Sequence, residues 1–147
     1  MEFGPRALGN RSLLADPRDP NIKDKVNEIK KRQKFRPFAP MILKEHVGEV
    51  FEMPGGITDA PYMQFVAKCK YPELYPAIIH HDGTSRVQTV SRKDHPDLHK
   101  LLKEFYKRTG CPMLLNTSLN IKGDPMVNDR CDADRFEHLY KIFDSSL

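Results

Sequence analysis

Apolar side chains recur along the chain with two different periods, and the switching between them predicts the elements. After Asp19-Pro20, a good N-cap followed by a residue suited to the first helical position, Ile22, Val26 and Ile29 fall at i, i+4 and i+7. This predicts a helix over about 20–33, which must stop before Pro37 because the residue ahead of a proline avoids helical geometry. Leu98, Leu101, Leu102 and Phe105 repeat the spacing and predict a helix from Pro96 to a stop at Gly110. Phe136, Leu139, Tyr140 and Phe143 predict a last helix over about 132–142. Shorter or alternating runs predict strands at 39–44, at Tyr62–Lys68, at Ala77–His80, over Ser85–Val90 after an Asp82-Gly83 turn, and at Pro112–Thr117. Residues 45–60, around Pro54-Gly55-Gly56, are expected as a loop. Residues 1–18 are expected as an ordered loop with a short helix at Ala7–Leu8.

Helical and strand patterns interleave, so the expected fold class is α/β: a twisted, open, mixed sheet with helices packed on it. Any parallel pair in it is expected to use the helices as crossovers. At 147 residues, 39% hydrophobic and 30% charged, the chain is sized and composed as one globular domain, which excludes a disordered class. There is no run of roughly 18 apolar residues to span a membrane and no basic-then-apolar leader pattern, so a cytoplasmic location is expected. Cys69, Cys111 and Cys131 form an odd set without zinc spacing and are read as reduced thiols. The histidines make no convincing ligand set, so no protein-held metal is expected. Walker A, GxGxxG, HExxH and GxSxG patterns are all missing. The net charge of +4 suits an anionic partner.

Four places combine cations or small polar groups with tight backbone signals. They are Gly4-Pro5-Arg6 through Arg11, the cluster Lys30-Lys31-Arg32 with Lys34 and Arg36, Asp82-Gly83-Thr84-Ser85-Arg86, and Asn116-Thr117-Ser118-Leu119-Asn120. Arginine forks match phosphate oxygens, and glycine lets a backbone approach a ligand. Small polar groups at the carboxyl end of a buried strand lie where open α/β sheets bind ligands. Each place also has a plain structural reading: a solvated turn, cations complementing a helix end, an exposed strand arginine, a polar cap. Arg36, between Phe35 and Pro37-Phe38, sits in apolar company that favours a specific partner.

Taken together, MEFGPRALGNRSLLADPRD, NIKDKVNEIKKRQKFRPFAPMIL, DGTSRVQTV and TGCPMLLNTSLNIKGDPMV resemble, in order and spacing, the C-terminal domain of the carbamoyltransferase family of nodulation and antibiotic O-carbamoyltransferases. The resemblance covers nearly all of residues 1–147 and implies a fold similar to the threonylcarbamoyl-adenylate synthase domain. It also implies ATP, its Mg2+ and carbamoyl phosphate as ligands. Carbamoyl-adenylate and pyrophosphate would be formed, and the carbamoyl group would pass to a hydroxyl acceptor. Lys30-Lys31-Arg32 and Ser118-Leu119-Asn120 match the Lys-x-Arg and Ser-x-Asn motifs of synthase-like domains. By resemblance Arg6, Lys30 and Arg36 are the catalytic set. Arg11, Arg32, Arg86, Asn116, Thr117, Ser118 and Asn120 are the nucleotide-side contacts. Within these, Lys30, Arg36 and Arg86 would hold phosphates, Ser118 and Asn120 would orient nucleotide phosphates or magnesium, and Arg6 would place charge at the reacting centre.

Relatives of this kind carry a large N-terminal transfer domain, and their motif continues upstream through a strand and a Gly-Arg pair. The chain is therefore expected to be N-terminally truncated, to lack the first strand of the sheet, and to pair with a separate transfer domain or a second copy. Two other readings stay open. The basic residues of 23–36 suit an RNA-binding module, although Phe35 and Phe38 in a proline-flanked run do not make a stacking platform. A non-catalytic assembly partner is the third.

Overall fold

Two segments carry apolar side chains facing both ways, and they become the centre of the sheet. In Met41-Ile42-Leu43 and Met113-Leu114-Leu115 every side chain is buried, the pattern of strands covered on both faces. The computed structural model describes residues 8, 9 and 11–140. Their elements run β1 (Ser12–Ala15), α1 (Ile22–Ile29), β2 (Ala39–Leu43), α2 (Val47–Val50), β3 (Phe51–Glu52), β4 (Val66–Cys69), β5 (Thr84–Arg86), β6 (Gln88–Val90), α3 (Pro96–Thr109), β7 (Met113–Ser118) and α4 (Arg130–Tyr140). The larger sheet has the order β1-β7-β2-β6, and β3-β4-β5 form a smaller antiparallel one. This is the mixed, open α/β arrangement that the interleaved periods predict.

Within the larger sheet β7 runs antiparallel to both β1 and β2, while β6 runs parallel to β2. The connection between the parallel strands is not a single helix. The chain leaves β2 through α2, builds the smaller sheet, and returns at β6. Ile42, Met113 and Leu115 face a core shared with Val26 of α1, Val47, Phe51 and Val87. Met41, Leu43 and Leu114 face the other way, against Leu102 of α3 and Val90. A third cluster joins Leu13 of β1 to Ile121 and Phe136 of α4.

Several local expectations are corrected. Residues 12–15, expected as loop, form β1, whose register with β7 is set by Leu13 opposite Thr117. Helix α1 starts two residues later than Pro20, because Asp19 closes a turn on the Asn21 and Ile22 amides. It ends at Ile29 because Lys31 takes a left-handed φ of 49°, well before Pro37 requires it. Residues 45–60 are not one loop but hold α2 and β3. The strand expected at Tyr62–Lys68 shifts to Val66–Cys69, and Ala77–His80 is instead reached by a 3-10 turn, Pro76–Ile78. Ser85–Val90 splits at buried Val87, so one run supplies both sheets. On α3 Leu101 points outward, 48% exposed, and His99 takes the buried place, bonded at Nε2 to Glu45 Oε1 at 2.8 Å. Ala7, Phe143 and the side chains of Leu139 and Tyr140 lie outside the described residues. The thiols are free, and burial pushes Cys111 up to about 11, which keeps it protonated.

Gly9 locks the amino-terminal segment onto α3. Its φ is +77°, and a Cβ there would stand 2.8 Å from Cδ2 and 2.9 Å from Cδ1 of Leu98. Gly9→Ala therefore combines left-handed strain with displacement of Leu98. It is expected to cost about 1–2 kcal/mol and to lower the melting temperature by roughly 3–8 °C; an unchanged thermal melt would show that this packing is loose.

Candidate functional site

The site is built where α1 ends and β7 ends, side by side. Lys30 is the residue after α1 and is only 4% exposed. A lysine this buried needs several acceptors, and the end of β7 supplies them. Lys30 Nζ donates to the carbonyls of Ser118 and Asn120, the latter at 2.9 Å, and reaches Asn120 Oδ1 at 3.0 Å and Ser118 Oγ at 3.3 Å. Ser118 Oγ donates to Asn120 Oδ1 at 2.6 Å, and Asn120 Nδ2 donates to the Asp124 carbonyl at 3.2 Å. The Lys30 carbonyl accepts from the Lys122 amide at 3.0 Å. Lys-x-Arg and Ser-x-Asn are thus one hydrogen-bonded unit, 88 residues apart in sequence, with Lys30 as its tether.

The loop of residues 31–37 is fastened from beneath by Asn27, which is fully buried. Its Nδ2 donates to the carbonyls of Lys34 (3.2 Å) and Arg36 (3.1 Å), and its Oδ1 accepts from Arg32 Nε at 3.1 Å. Arg32 also donates to the Pro37 carbonyl at 3.3 Å, and its guanidinium lies 4.6 Å from the Phe38 ring centroid, a cation–π stack. Arg36 itself is exposed. Its expected apolar surroundings are corrected on one side, since Phe35 is 61% exposed while Phe38 is buried.

Two adjoining hollows of about 310 Å3 each share Arg32 and Arg36 as their common wall. The outer one adds Lys30, Gln33, Ser118, Asn120, Ile121 and Lys122. The inner one adds Phe38, Met63, His80, Arg86, Asn116 and Thr117. Neither lining includes a carboxylate among the described residues. Lys30, Arg32, Arg36, Lys122 and Arg86 therefore line a shared space whose described lining holds no carboxylate, an arrangement that concentrates anions. At the floor of the inner hollow, Asn116 Nδ2 donates to Gln88 Oε1 at 2.7 Å, and Gln88 Nε2 donates to the Pro61 carbonyl at 3.1 Å.

Eight of the residues singled out from sequence therefore meet: Lys30, Arg32, Arg36, Arg86, Asn116, Thr117, Ser118 and Asn120. Arg11 is placed elsewhere. Its guanidinium donates to the Val127 carbonyl at 3.2 Å, and its own carbonyl accepts from the Leu119 amide at 2.9 Å. Arg11 thus steadies the segments after β7 and lines neither hollow. Arg6 lies outside the described residues. Sequence reading passed over Asn27, Gln88, Met63 and Lys122, and took His80 for an ordinary structural histidine. The sequence carries no signal for Asn27, which falls off the stripe of Ile22, Val26 and Ile29. Met63 carries none, yet it is buried with a left-handed φ of 56° at the rim of the inner hollow.

A family model described as the carbamoyltransferase C-terminus matches residues 1–142. The chain is 50% identical over 135 residues, 90% of its length, to nodulation protein NolO of Bradyrhizobium diazoefficiens, covering 25% of that protein. It is 43% identical over 144 residues, 95% of its length, to nodulation protein U of Sinorhizobium fredii, again 25% of that protein. An uncharacterized protein of Methanocaldococcus jannaschii, MJ1058, is 44% identical over 134 residues, 90% of this chain and 22% of its own length. The chain spans about a quarter of the length of these curated relatives. Family match and relatives agree: this chain belongs to the carbamoyltransferase C-terminal family.

Proposed function

We propose that this chain binds ATP and carbamoyl phosphate in the paired hollows and supports formation of carbamoyl-adenylate for carbamoylation of a hydroxyl acceptor. The observation that carries the reading is the convergence of cations from three separate segments, with a hydroxyl–amide pair, on one cleft lined by no carboxylate among the described residues. Adenylyl transfer needs little covalent help from a protein. It needs alignment, and positive charge where negative charge accumulates.

Carbamate is released from carbamoyl phosphate when water takes up the phosphoryl group, giving inorganic phosphate. A carbamate oxygen then attacks the α-phosphorus of ATP, and the bond to the β-phosphate breaks with pyrophosphate leaving. In this reading Arg36 and Arg32, on the shared wall, hold phosphates of both ligands, and Arg86 holds the carbamoyl phosphate side. Lys30 keeps the Ser118–Asn120 end of β7 in place against the nucleotide phosphates, which bring Mg2+ with them. A further hollow of about 390 Å3 continues past Asn120, walled by Ile121, Val127 and Phe136, and has room for a nucleoside. Passage of the carbamoyl group to its acceptor is assigned to a transfer domain or a second copy.

Calorimetry with MgATP and with carbamoyl phosphate tests the reading. Saturable binding of both is expected, with Arg36→Ala weakening each roughly tenfold to a hundredfold and Ser118→Ala acting mainly on the nucleotide. No heat and no ligand-dependent rise in melting temperature would reject it. Binding of RNA with a steep salt dependence and no response to ATP would replace it with a nucleic-acid function.

A further inference from the structure

One residue of the inner hollow's lining, Asn116, carries an acceptor with nothing to accept. Among the described residues, Asn116 Oδ1 is the buried side-chain nitrogen or oxygen without a hydrogen-bond partner, on a residue 3% exposed. Its orientation is not free. The Pro61 carbonyl can only accept, so Gln88 must offer it Nε2. That turns Gln88 Oε1 toward Asn116, which must answer with Nδ2. Flipping either amide would set two donors or two acceptors against each other, so the relay fixes an oxygen as the unpaired atom. A buried acceptor left in this state is uncommon, because it has lost water and gained nothing. Around it, the other polar side chains lining the hollow are Arg32, Arg36 and Arg86, which only donate, with Thr117 and His80. The arginines suit phosphate oxygens, whereas Asn116 Oδ1, itself an acceptor, does not.

We propose that Asn116 is the residue that selects a carbamoyl group over other acyl groups, its Oδ1 accepting a hydrogen bond from the NH2 of carbamoyl phosphate. The inference rests on the reading of the cleft as a carbamoyl phosphate site and adds its specificity. Carbamoyl phosphate and acetyl phosphate present the same phosphate and the same carbonyl, and differ in NH2 against CH3. A site lined only by arginines would hold both alike. An acceptor pinned opposite the NH2 favours the carbamoyl ligand, because the oxygen, already out of water, gains a hydrogen bond from NH2 and none from a methyl group. Gln88 is then a positioning residue, acting through Asn116.

The test compares binding of carbamoyl phosphate, acetyl phosphate and inorganic phosphate to the full chain by calorimetry. The unaltered protein is expected to prefer carbamoyl over acetyl phosphate by roughly tenfold to a hundredfold. Asn116→Leu is expected to bring that ratio near one, while acetyl phosphate and inorganic phosphate bind as before. Gln88→Leu, which frees the Asn116 amide to turn, is expected to reduce the ratio in part and serves if Asn116→Leu does not fold. Equal binding of the two acyl phosphates by the unaltered protein overturns the proposal and leaves the anion cleft standing. An equal loss of both ligands in Asn116→Leu does the same. Failure to bind all three anions overturns the cleft reading and this inference with it.

Discussion

Replacing Lys30 with methionine is expected to lower the melting temperature by roughly 6–15 °C and to cut nucleotide binding with it. Methionine keeps the length and apolar stem of lysine but carries no donor. Four oxygens now meet at the Lys30 ammonium: the carbonyls of Ser118 and Asn120, Ser118 Oγ and Asn120 Oδ1. Without it they face one another, and the end of β7 has no reason to stay folded against α1. Loss of a charged donor together with orphaned acceptors should cost about 3–5 kcal/mol, a large share of what holds a domain of this size. Lys31→Met is the control, since Lys31 is exposed and makes no part of this unit. Melts of the two variants decide the matter. If Lys30→Met melts like Lys31→Met, the ammonium is not a tether, and Lys30 is free to act on a ligand directly. If it melts low, a loss of ATP binding in that variant reports a collapsed Ser118–Asn120 end and not a missing phosphate contact.

The distinction between tether and contact marks where sequence reading stops. Elements whose apolar spacing is local were legible: β2 and β7 as buried runs, α3 from its stripe and its Gly110 stop. What failed depends on partners far along the chain. Residues 12–15 have little strand character of their own and become β1 because β7 offers an edge. Ser85–Val90 is one alternating run, and nothing in it announces that buried Val87 divides it between two sheets. His99 replaces Leu101 on the inner face of α3 because Glu45, 54 residues away, waits to pair with it. The site was legible as residue types, since cations and a Ser-x-Asn pair stand out in any reading. Their division of labour was not. Lys30 and Arg36 look alike in sequence, a few residues apart, yet one is buried under four acceptors and the other stands open to the cleft. Arg11, in the first of the family segments, holds the Val127 carbonyl. Burial and distance decide these roles, and neither is encoded locally.

Asn27 offers the sharpest separation of site from scaffold. Asn27→Leu keeps the branched shape on α1 but removes both donors to the Lys34 and Arg36 carbonyls and the acceptor for Arg32 Nε. Lys34 and Arg36 are exposed, so their carbonyls can turn to water, and the fold should lose only about 1–3 kcal/mol. The loop of residues 31–37 loses its anchor from beneath, and with it the two guanidinium groups that wall both hollows. Phosphate affinity is therefore expected to fall roughly tenfold to a hundredfold, although Asn27 lines neither hollow. Amide hydrogen exchange across 31–37 is expected to quicken, while β7 and α3 stay protected, because the opening is local. Asn27→Asp divides the two halves of the brace. Its carboxylate still accepts from Arg32 but repels the two carbonyls, so Arg32 should stay stacked on Phe38 while the Arg36 end comes loose. Binding equal to the unaltered protein in Asn27→Leu, with exchange unchanged over 31–37, would mean that the Phe38 stack alone positions the arginines. Weakened binding with quickened exchange confined to that loop would place the control of the cleft in a buried amide that never touches a ligand.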